Sequence, residues 1–480
     1  MLSRPEAALF ALVFGCYAYF YQAGGWNQNS RFDLTRAMVE RHSLRIDAYE
    51  RNTGDDARRD GHFYCDKAPA VSWLGVPPYA VMYWLAGAPA QPSPRLLAHG
   101  SYAAALVANA LPSAIAAVFL YWLALLLGLS ATWAAVVTLA YALATLAFPY
   151  STVFYGHQLV ASLHVIALTL LVSIRRGAPA TRGRLLAVGA LLGAAVVVEY
   201  PAALGGAVIG LYALALVRPR PRALAWIVAG GVLPVLLLCW YHASAFGGPL
   251  TLPYAFSTQK HRHMGWFMGL GVPDLHVLAQ LLFSVRRGLF YSAPWLLLAV
   301  PGLVLLARRR DTRAEAAVCT AIVLLHLWLN TSLVDWDGGW CVGPRYLVSC
   351  LPFLVIGVME LVRQATTWPR APRALFAALA GAAVALSMFL MLAATAVKPE
   401  VPSWIRAPFG NYVLPAFGRG ELSISTQSID RPDAPLHGTP QAWNLGQRLG
   451  LDGKPSLLPL GLWVLATGSW LAFALRRRPT

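Results

Sequence analysis

The chain has 480 residues, of which 58% are hydrophobic and only 12% are charged. This composition excludes an ordinary soluble protein, whose residues are about 25% charged. The net charge is +17, but the basic residues lie in short clusters between apolar runs, a distribution unlike the single basic face of a nucleic-acid-binding protein. We therefore expect a membrane protein with basic cytoplasmic loops and no nucleic-acid partner. These clusters contain Arg175, Arg218, Arg308, Arg370 and Arg476.

Apolar runs long enough to cross a bilayer recur along the whole chain. The first, at 5–23, is followed by Trp26 and Asn27 instead of the small residues of a cleavage site, so we expect a retained helix. Further spans are predicted at 99–127, 131–148, 157–174, 185–200, 202–217, 223–242, 291–307, 315–334, 346–364, 374–396 and 458–475.

The run at 69–87 is a special case because it contains Pro69, Pro77 and Pro78. Prolines remove backbone donors that lipid cannot replace, which favours an interfacial or re-entrant segment. The alternative is that 99–127 holds two crossings. With all basic clusters inside, either arrangement puts both chain ends inside. The predicted fold is an all-α integral membrane bundle of about 12–13 transmembrane helices.

The same topology divides the chain into modules and outer loops. We expect a catalytic transmembrane module at 1–242, which includes a first outer loop at 24–68, and a variable module at 243–480. The outer loops of the second module are predicted at 243–290, 335–345 and 397–457.

The first outer loop is polar and electrically neutral, and it begins with an amphipathic segment from Asn27 to Val39. Ser30 followed by Asp33 resembles a capping box, and the apolar stripe predicts a helix lying on the membrane surface. Asp33 is therefore either a capping acid or a functional acid.

The loop ends in Tyr64, Cys65, Asp66 and Lys67, where the chain returns to apolar sequence. The adjacent acid and base are either a snorkelling pair or a lysine ammonium aimed at a lipid phosphate and oriented by the carboxylate.

Two other outer segments contain cations beside aromatic residues. Glycines let a backbone approach a ligand, tryptophans favour the interface, and an arginine there needs an anion. The loop at 335–345 is therefore either an anion-binding site or an aromatic belt at the interface with a charged loop tip. The arginine pair at 286–287 is unusual on an outer loop. The candidates are Trp336, Trp340, Arg345 and Tyr346 in the first segment and Arg287 and Tyr291 in the second.

Polar residues at the outward ends of apolar runs are further candidates. Glu199, with Tyr200 beside it, is either functional or paired with an outer arginine, and His157 is expected at the same face. His164 and His326 are more typical of satisfied core histidines.

The six cysteines show no metal-ligand spacing, so no metal site is predicted. Cys65 and Cys341 fall in outer loops, where they are either two free thiols or one disulfide.

The first helix, the acid of the outer helix, the motif Phe63-Tyr64-Cys65-Asp66-Lys67-Ala68-Pro69 and a dozen spans together resemble the C-type (GT-C) membrane glycosyltransferases. The likeness is to the branch of protein O-mannosyltransferases and the lipid A aminoarabinose transferase. It covers residues 1–241, and the motif at 336–346 and the late outer loop are similar to bacterial members of unknown acceptor. It implies transfer of a sugar, with inversion, from a polyprenyl-phosphate donor to a lipid, glycan or protein acceptor. It also implies catalysis on the periplasmic side of the cytoplasmic membrane.

The resemblance gives catalytic positions to Asp33 and Asp66 and the donor-phosphate position to Lys67. Oligosaccharyltransferases have a large soluble C-terminal domain, and no corresponding segment is expected in this sequence. Transfer of a whole glycan is therefore not expected.

Breaking a sugar–phosphate bond creates negative charge on the leaving phosphate, so the site needs a base for the acceptor and cations for the phosphate. Asp33 would be the base, and Lys67, Arg345 and Arg287 the cations. No cofactor is then required, and a divalent cation is optional. The alternatives are a transporter or flippase with Glu199 as coupling residue, a surface-polysaccharide polymerase or ligase, and a membrane scaffold. Transporters place polar groups near the bilayer midplane, whereas here charges crowd the outer interface.

Overall fold

The computed structural model describes residues 4–218, 220–425 and 442–477, which are mostly helical. The helices of the first half are α1 (Arg4–Ala18), α2 (Trp26–Glu40), α3 (Ala70–Leu85), α4 (Pro94–Ala105), α5 (Leu111–Leu126), α6 (Ala131–Leu143), α7 (Ala147–Tyr150), α8 (His157–Arg175), α9 (Arg182–Val198), α10 (Ala202–Val217) and α11 (Pro221–Phe246).

The second half continues the bundle. Its helices are α12 (Leu275–Phe283), α13 (Leu289–Ser292), α14 (Ala299–Arg308), α15 (Arg313–Thr331), α16 (Leu351–Ala365), α17 (Arg370–Val397), α18 (Leu414–Arg419), α19 (Leu445–Arg448) and α20 (Leu458–Arg476). Two short antiparallel pairs complete the fold: β1 (Phe20–Tyr21) pairs with β4 (Trp443–Asn444), and β2 (Asp56–Arg59) pairs with β3 (His62–Cys65). Part of the outer loop predicted at 397–457 lies outside the described residues.

The chain is an integral membrane protein of the predicted all-α class. Among the described residues, seven helical stretches are long and apolar enough to cross a membrane by length and composition. The total of about 12–13 crossings stays a prediction. The seven stretches are Pro94–Leu126, His157–Arg175, Pro221–Phe246, Arg313–Thr331, Arg345–Ala365, Arg370–Val397 and Lys454–Arg476, and shorter apolar helices lie at Ala131–Leu143, Ala202–Val217 and Pro294–Arg308.

Glycines let α9 and α11 pack backbone against backbone. A Cβ atom on Gly189 would lie 1.8 Å from the carbonyl oxygen of Ile227, and one on Gly230 would lie 2.1 Å from that of Leu186. Small residues at such crossings let membrane helices gain van der Waals contact, since lipid supplies no hydrophobic driving force. This packing holds α9 against α11, and the chain continues from the end of α9 into Glu199.

Ion pairs gather the predicted inner loops at one end of the bundle. Arg175 at the end of α8 pairs with Glu315 of α15, and Arg309 Nη1 lies 2.5 Å from Glu360 Oε2 of α16. The loops after α8, before α15 and after α16 therefore share one end, as the predicted topology requires.

The segment predicted to be interfacial forms α3, which runs beside α2. Thr35 Oγ1 donates to the Ser72 carbonyl oxygen at 2.9 Å, and Tyr79 Oη donates to Glu40 Oε1 at 2.5 Å. Along both helices the second contact lies further towards the C-terminus than the first. The two helices are therefore parallel over this length. That α3 is interfacial or re-entrant stays a prediction.

The predicted start of α2 is wrong, although the helix itself is confirmed. It begins at Trp26 after Gly25, whose φ of 86° ends the preceding extended segment, and no side chain caps it. Ser30 lies inside the helix and donates to Cys65 Sγ at 3.2 Å, so no capping box forms. The polar side chains Arg31 and Asp33 are 1% and 0% exposed, so both faces of α2 are covered by protein.

Candidate functional site

A cavity of about 400 Å³ lies where α2, α8, α10 and α15 meet the loops of the second half of the chain. Its charged lining includes Lys67 and Glu199 from the first predicted module and Arg262 and Arg345 from the second. The site is therefore built by both modules, whereas the sequence predicted a catalytic module within residues 1–242.

Lys67 reaches the cavity from the turn between β3 and α3. Its Nζ atom lies 2.9 Å from Asp66 Oδ1 and 3.1 Å from Asp55 Oδ2. Asp66 Oδ2 also accepts a hydrogen bond from Ser257 Oγ at 3.2 Å, which anchors the carboxylate. Burial alone would lower the pKa of Lys67, but Asp55 and Asp66 outweigh it and raise that pKa, so the ammonium stays charged. Asp66 thus orients Lys67, as the sequence suggested.

Arg262 and Arg345 are the two cations of the cavity that have no acidic partner. Among the described residues, neither forms an ion pair with a carboxylate, and the Nε atom of each is buried without a hydrogen bond. The Arg262 guanidinium lies 4.1 Å from the ring centre of Tyr254. The Arg345 guanidinium lies 5.1 Å from the ring centre of Tyr346. Buried cations without a counter-ion are costly, so these two favour an anionic ligand.

Arg262 was missed by the sequence analysis. It lies in the run Lys260–His263, a basic cluster in a loop predicted to be outside. The same departure from the positive-inside bias singled out Arg287, so the signal was present but was applied to the wrong arginine.

Glu199 directly follows α9 and faces the cavity. Arg31 Nη2 lies 2.5 Å from Glu199 Oε1, and His157 Nδ1 lies 4.0 Å from the same oxygen. Gly156 permits this approach, because a Cβ atom there would lie 2.3 Å from Oε1. The Arg31 guanidinium at this distance favours the ionised form of the Glu199 carboxylate.

Three predicted aromatic or imidazole residues also line this cavity: Tyr200, Tyr346 and His157. Tyr200 Oη lies 2.9 Å from His242 Nε2, and Tyr346 Oη donates to Asp335 Oδ2 at 3.0 Å. These bonds fix the two phenol rings at the cavity wall.

Asp33 does not line the cavity. Asn27 and Arg31 of the same helix do, and the helical rotation of about 100° per residue turns Asp33 to the opposite face. There its Oδ1 accepts from Asn52 Nδ2 at 3.1 Å. Burial raises the pKa of Asp33 to about 8, although Arg36 and the Asn52 hydrogen bond act against this shift.

The remaining predicted residues also lie away from the cavity. Arg287 donates to the carbonyl oxygens of Asp337 and Gly339, both at 2.6 Å, and so holds the 335–345 loop in place. The aromatic candidates make packing contacts: Tyr64 with Phe246, Trp336 with Arg286, Trp340 with Trp404, and Tyr291 with Phe409.

Cys65 and Cys341 are both free thiols. Within the part of the chain that the structure describes, no three His, Cys, Asp or Glu side chains are grouped so that they could hold a metal ion. The carboxylates of Asp55 and Asp66 instead face the ammonium of Lys67.

The amino-acid sequence matches no protein-family model and no curated protein. Solved structures with a similar fold include ArnT from Cupriavidus metallidurans bound to undecaprenyl phosphate, with 16% identity and a TM-score of 0.52 over 98% of this chain and 75% of that chain. The apo state of ArnT gives 17% identity and a TM-score of 0.50 over the same shares. The Archaeoglobus fulgidus oligosaccharyltransferase gives 12% identity and a TM-score of 0.48 over 89% of this chain and 60% of that chain.

At these identities the likeness concerns the fold, and it extends over nearly the whole chain. The chain therefore shares the fold of ArnT over nearly its whole length.

Proposed function

We propose that this protein is a glycosyltransferase that moves a sugar from a polyprenyl-phosphate donor to an acceptor. The observation that carries the proposal is a single cavity in which two unpaired cations, Arg262 and Arg345, stand beside one ionised carboxylate, Glu199. Cations suit a leaving phosphate, and a carboxylate suits the proton of an acceptor. ArnT, which shares the fold, was solved with undecaprenyl phosphate bound.

In the proposed reaction the bond between the anomeric carbon and the phosphate oxygen breaks, and the phosphate leaves with the electron pair. Arg262, Arg345 and Lys67 stabilise the negative charge that develops on it. The acceptor oxygen forms the new bond to the anomeric carbon from the opposite face, which inverts its configuration. The acceptor proton passes to a carboxylate of the protein.

Glu199 is the carboxylate that the cavity favours as this base. Arg31 occupies Oε1, and among the described residues no donor contacts Oε2, which is left to accept a proton. Asp33, the base expected from the sequence, faces Asn52 on the other side of α2 and would need that helix to rotate. We therefore assign the proton acceptor to Glu199.

The cavity end of the bundle is proposed to face the periplasm, across the cytoplasmic membrane. The first outer loop at this end contains equal numbers of acids and bases, whereas the opposite end has the arginine clusters at 175–176 and 308–310. The acceptor is a lipid, a glycan or a protein with a free nucleophilic oxygen, and the reaction as drawn uses no metal ion.

The test is release of polyprenyl phosphate by the purified protein in lipid nanodiscs. Polyprenyl-phosphate sugars are supplied with a cell-envelope lipid fraction, and free polyprenyl phosphate and glycosylated product are quantified by mass spectrometry. We expect release that depends on the acceptor and is lost in Glu199→Gln. Movement of the intact sugar lipid across the bilayer without release would instead identify a flippase and overturn the proposal.

A further inference from the structure

We propose that the polar pair Asn330 and His326, on the α15 side of the cavity, binds hydroxyl groups of the donor sugar. This inference rests on the proposed function and adds a subsite for the sugar to the cations that would bind its phosphate. The two residues are one helical turn apart on α15, so both project from the same face, and both line the cavity.

Asn330 has an amide with no hydrogen bond. Its side chain is 1% exposed, and neither Oδ1 nor Nδ2 has a partner among the described residues. An unsatisfied buried amide costs stability, and Asn330 lies at the edge of an apolar wall that includes Leu329 and Leu333. A leucine would suit that wall better, so an asparagine there indicates a polar ligand.

His326 is held in one tautomer. Its Nδ1 lies 2.8 Å from the carbonyl oxygen of Ile322 on its own helix, so Nδ1 carries the hydrogen and Nε2 is an acceptor. With Asn330, the pair therefore offers one NH₂ donor and two acceptors. Because neither side chain contributes a carboxylate or a fixed positive charge, this set suits neutral hydroxyl groups, which both donate and accept.

A third polar group lies next to this pair. A Cβ atom on Gly205 of α10 would lie 2.9 Å from His164 Cε1 and 3.7 Å from His326 Cε1, so the glycine leaves room for both imidazoles. The sequence predicted satisfied core histidines at both positions. His326 is bonded through Nδ1, but neither ring nitrogen of His164 has a partner among the described residues.

The experiment compares two ligands for the variant Asn330→Leu: polyprenyl phosphate alone and polyprenyl-phosphate sugar. We expect affinity for the sugar lipid to fall by about tenfold, as for one or two lost hydrogen bonds, with affinity for the bare lipid unchanged. The melting temperature of the unliganded variant should equal or exceed that of the wild type, because an unsatisfied amide has been removed. Thr331→Val is the matched control, since the Thr331 hydroxyl bonds within α15 and its loss should leave both affinities unchanged.

Equal loss for both ligands, or no loss for either, would overturn the subsite. If Asn330→Leu does not fold, His326→Leu provides the same comparison. A failure of the proposed function is distinguishable, because the wild type itself would then bind neither lipid or release no polyprenyl phosphate.

Discussion

Glu199 and Asp33 occupy different environments in the protein. Glu199 faces the cavity, and Asp33 is buried on the opposite face of α2. We expect Glu199→Gln to lower kcat by about 10²- to 10⁴-fold, as for loss of a general base, while donor binding survives. Asp33→Asn is the matched control and should change kcat by less than about tenfold. A reversed order in steady-state assays would restore Asp33 as the base.

The unpaired cations of the cavity predict a second effect. Arg345→Ala should weaken binding of polyprenyl phosphate by about 1.5–3 kcal/mol, because it removes a charge-assisted contact. Binding is measured by titration of the lipid into protein in nanodiscs. Arg58→Ala, at an exposed position on β2, controls for the general loss of positive charge. Undiminished binding in Arg345→Ala would remove this arginine from the phosphate site.

The buried carboxyl of Asp33 predicts a dependence of stability on pH. Its pKa of about 8 in the folded protein lies above the ordinary value of 3.8, so the unfolded chain releases this proton at lower pH than the folded one. The stabilisation that comes from the protonated form is therefore complete below about pH 4 and is lost as the pH rises towards 8. Asp33→Asn should raise the melting temperature relative to the wild type, with a gain that grows over this interval. A gain independent of pH would contradict the assignment.

At the level of helices, the crossing of α9 and α11 predicts the effect of adding a single methyl group. Gly189→Ala should destabilise the protein by about 1–3 kcal/mol, because its Cβ would overlap the Ile227 carbonyl and force the helices apart. Gly210→Ala is the control, since a Cβ there meets no atom within 4 Å. Thermal unfolding followed by size-exclusion chromatography measures both. An equal response would mean that the crossing is looser than the structure shows.

Apolar periodicity predicted several helices closely, and it failed where a helix is polar and enclosed. The predicted span at 202–217 coincides with α10, because a run of apolar residues between basic ends has one stable conformation in lipid. For α2 the helix was correct but its start was not. The start of α2 depends on the backbone conformation of Gly25, and its burial depends on packing against α3. The pattern of apolar residues within α2 shows neither.

Across the bundle as a whole, the distribution of charge predicts that its two ends lie on opposite sides of the membrane. In a variant without native cysteines, Asp60→Cys and Arg310→Cys should react with a membrane-impermeant maleimide from opposite sides, because neutral loops are exported and arginine-rich loops are retained. Both positions are exposed. Labelling of both from one side would contradict the topology and the proposed periplasmic site.

Local sequence was enough to establish that the protein lies in a lipid bilayer, where most of its helices are, and that Asp66 pairs with Lys67. These follow from composition and adjacency, because lipid requires long apolar helices and neighbouring residues need no folding to meet. Which charges share a cavity depended on the folded chain. Arg262 and Glu199 are distant in sequence, and folding brings them to one cavity. The rotation of α2 turns Arg31 towards this cavity and Asp33 away from it. That rotation is set by the packing of α2 against α3 and the first outer loop, because contacts between separate segments exist only in the folded chain.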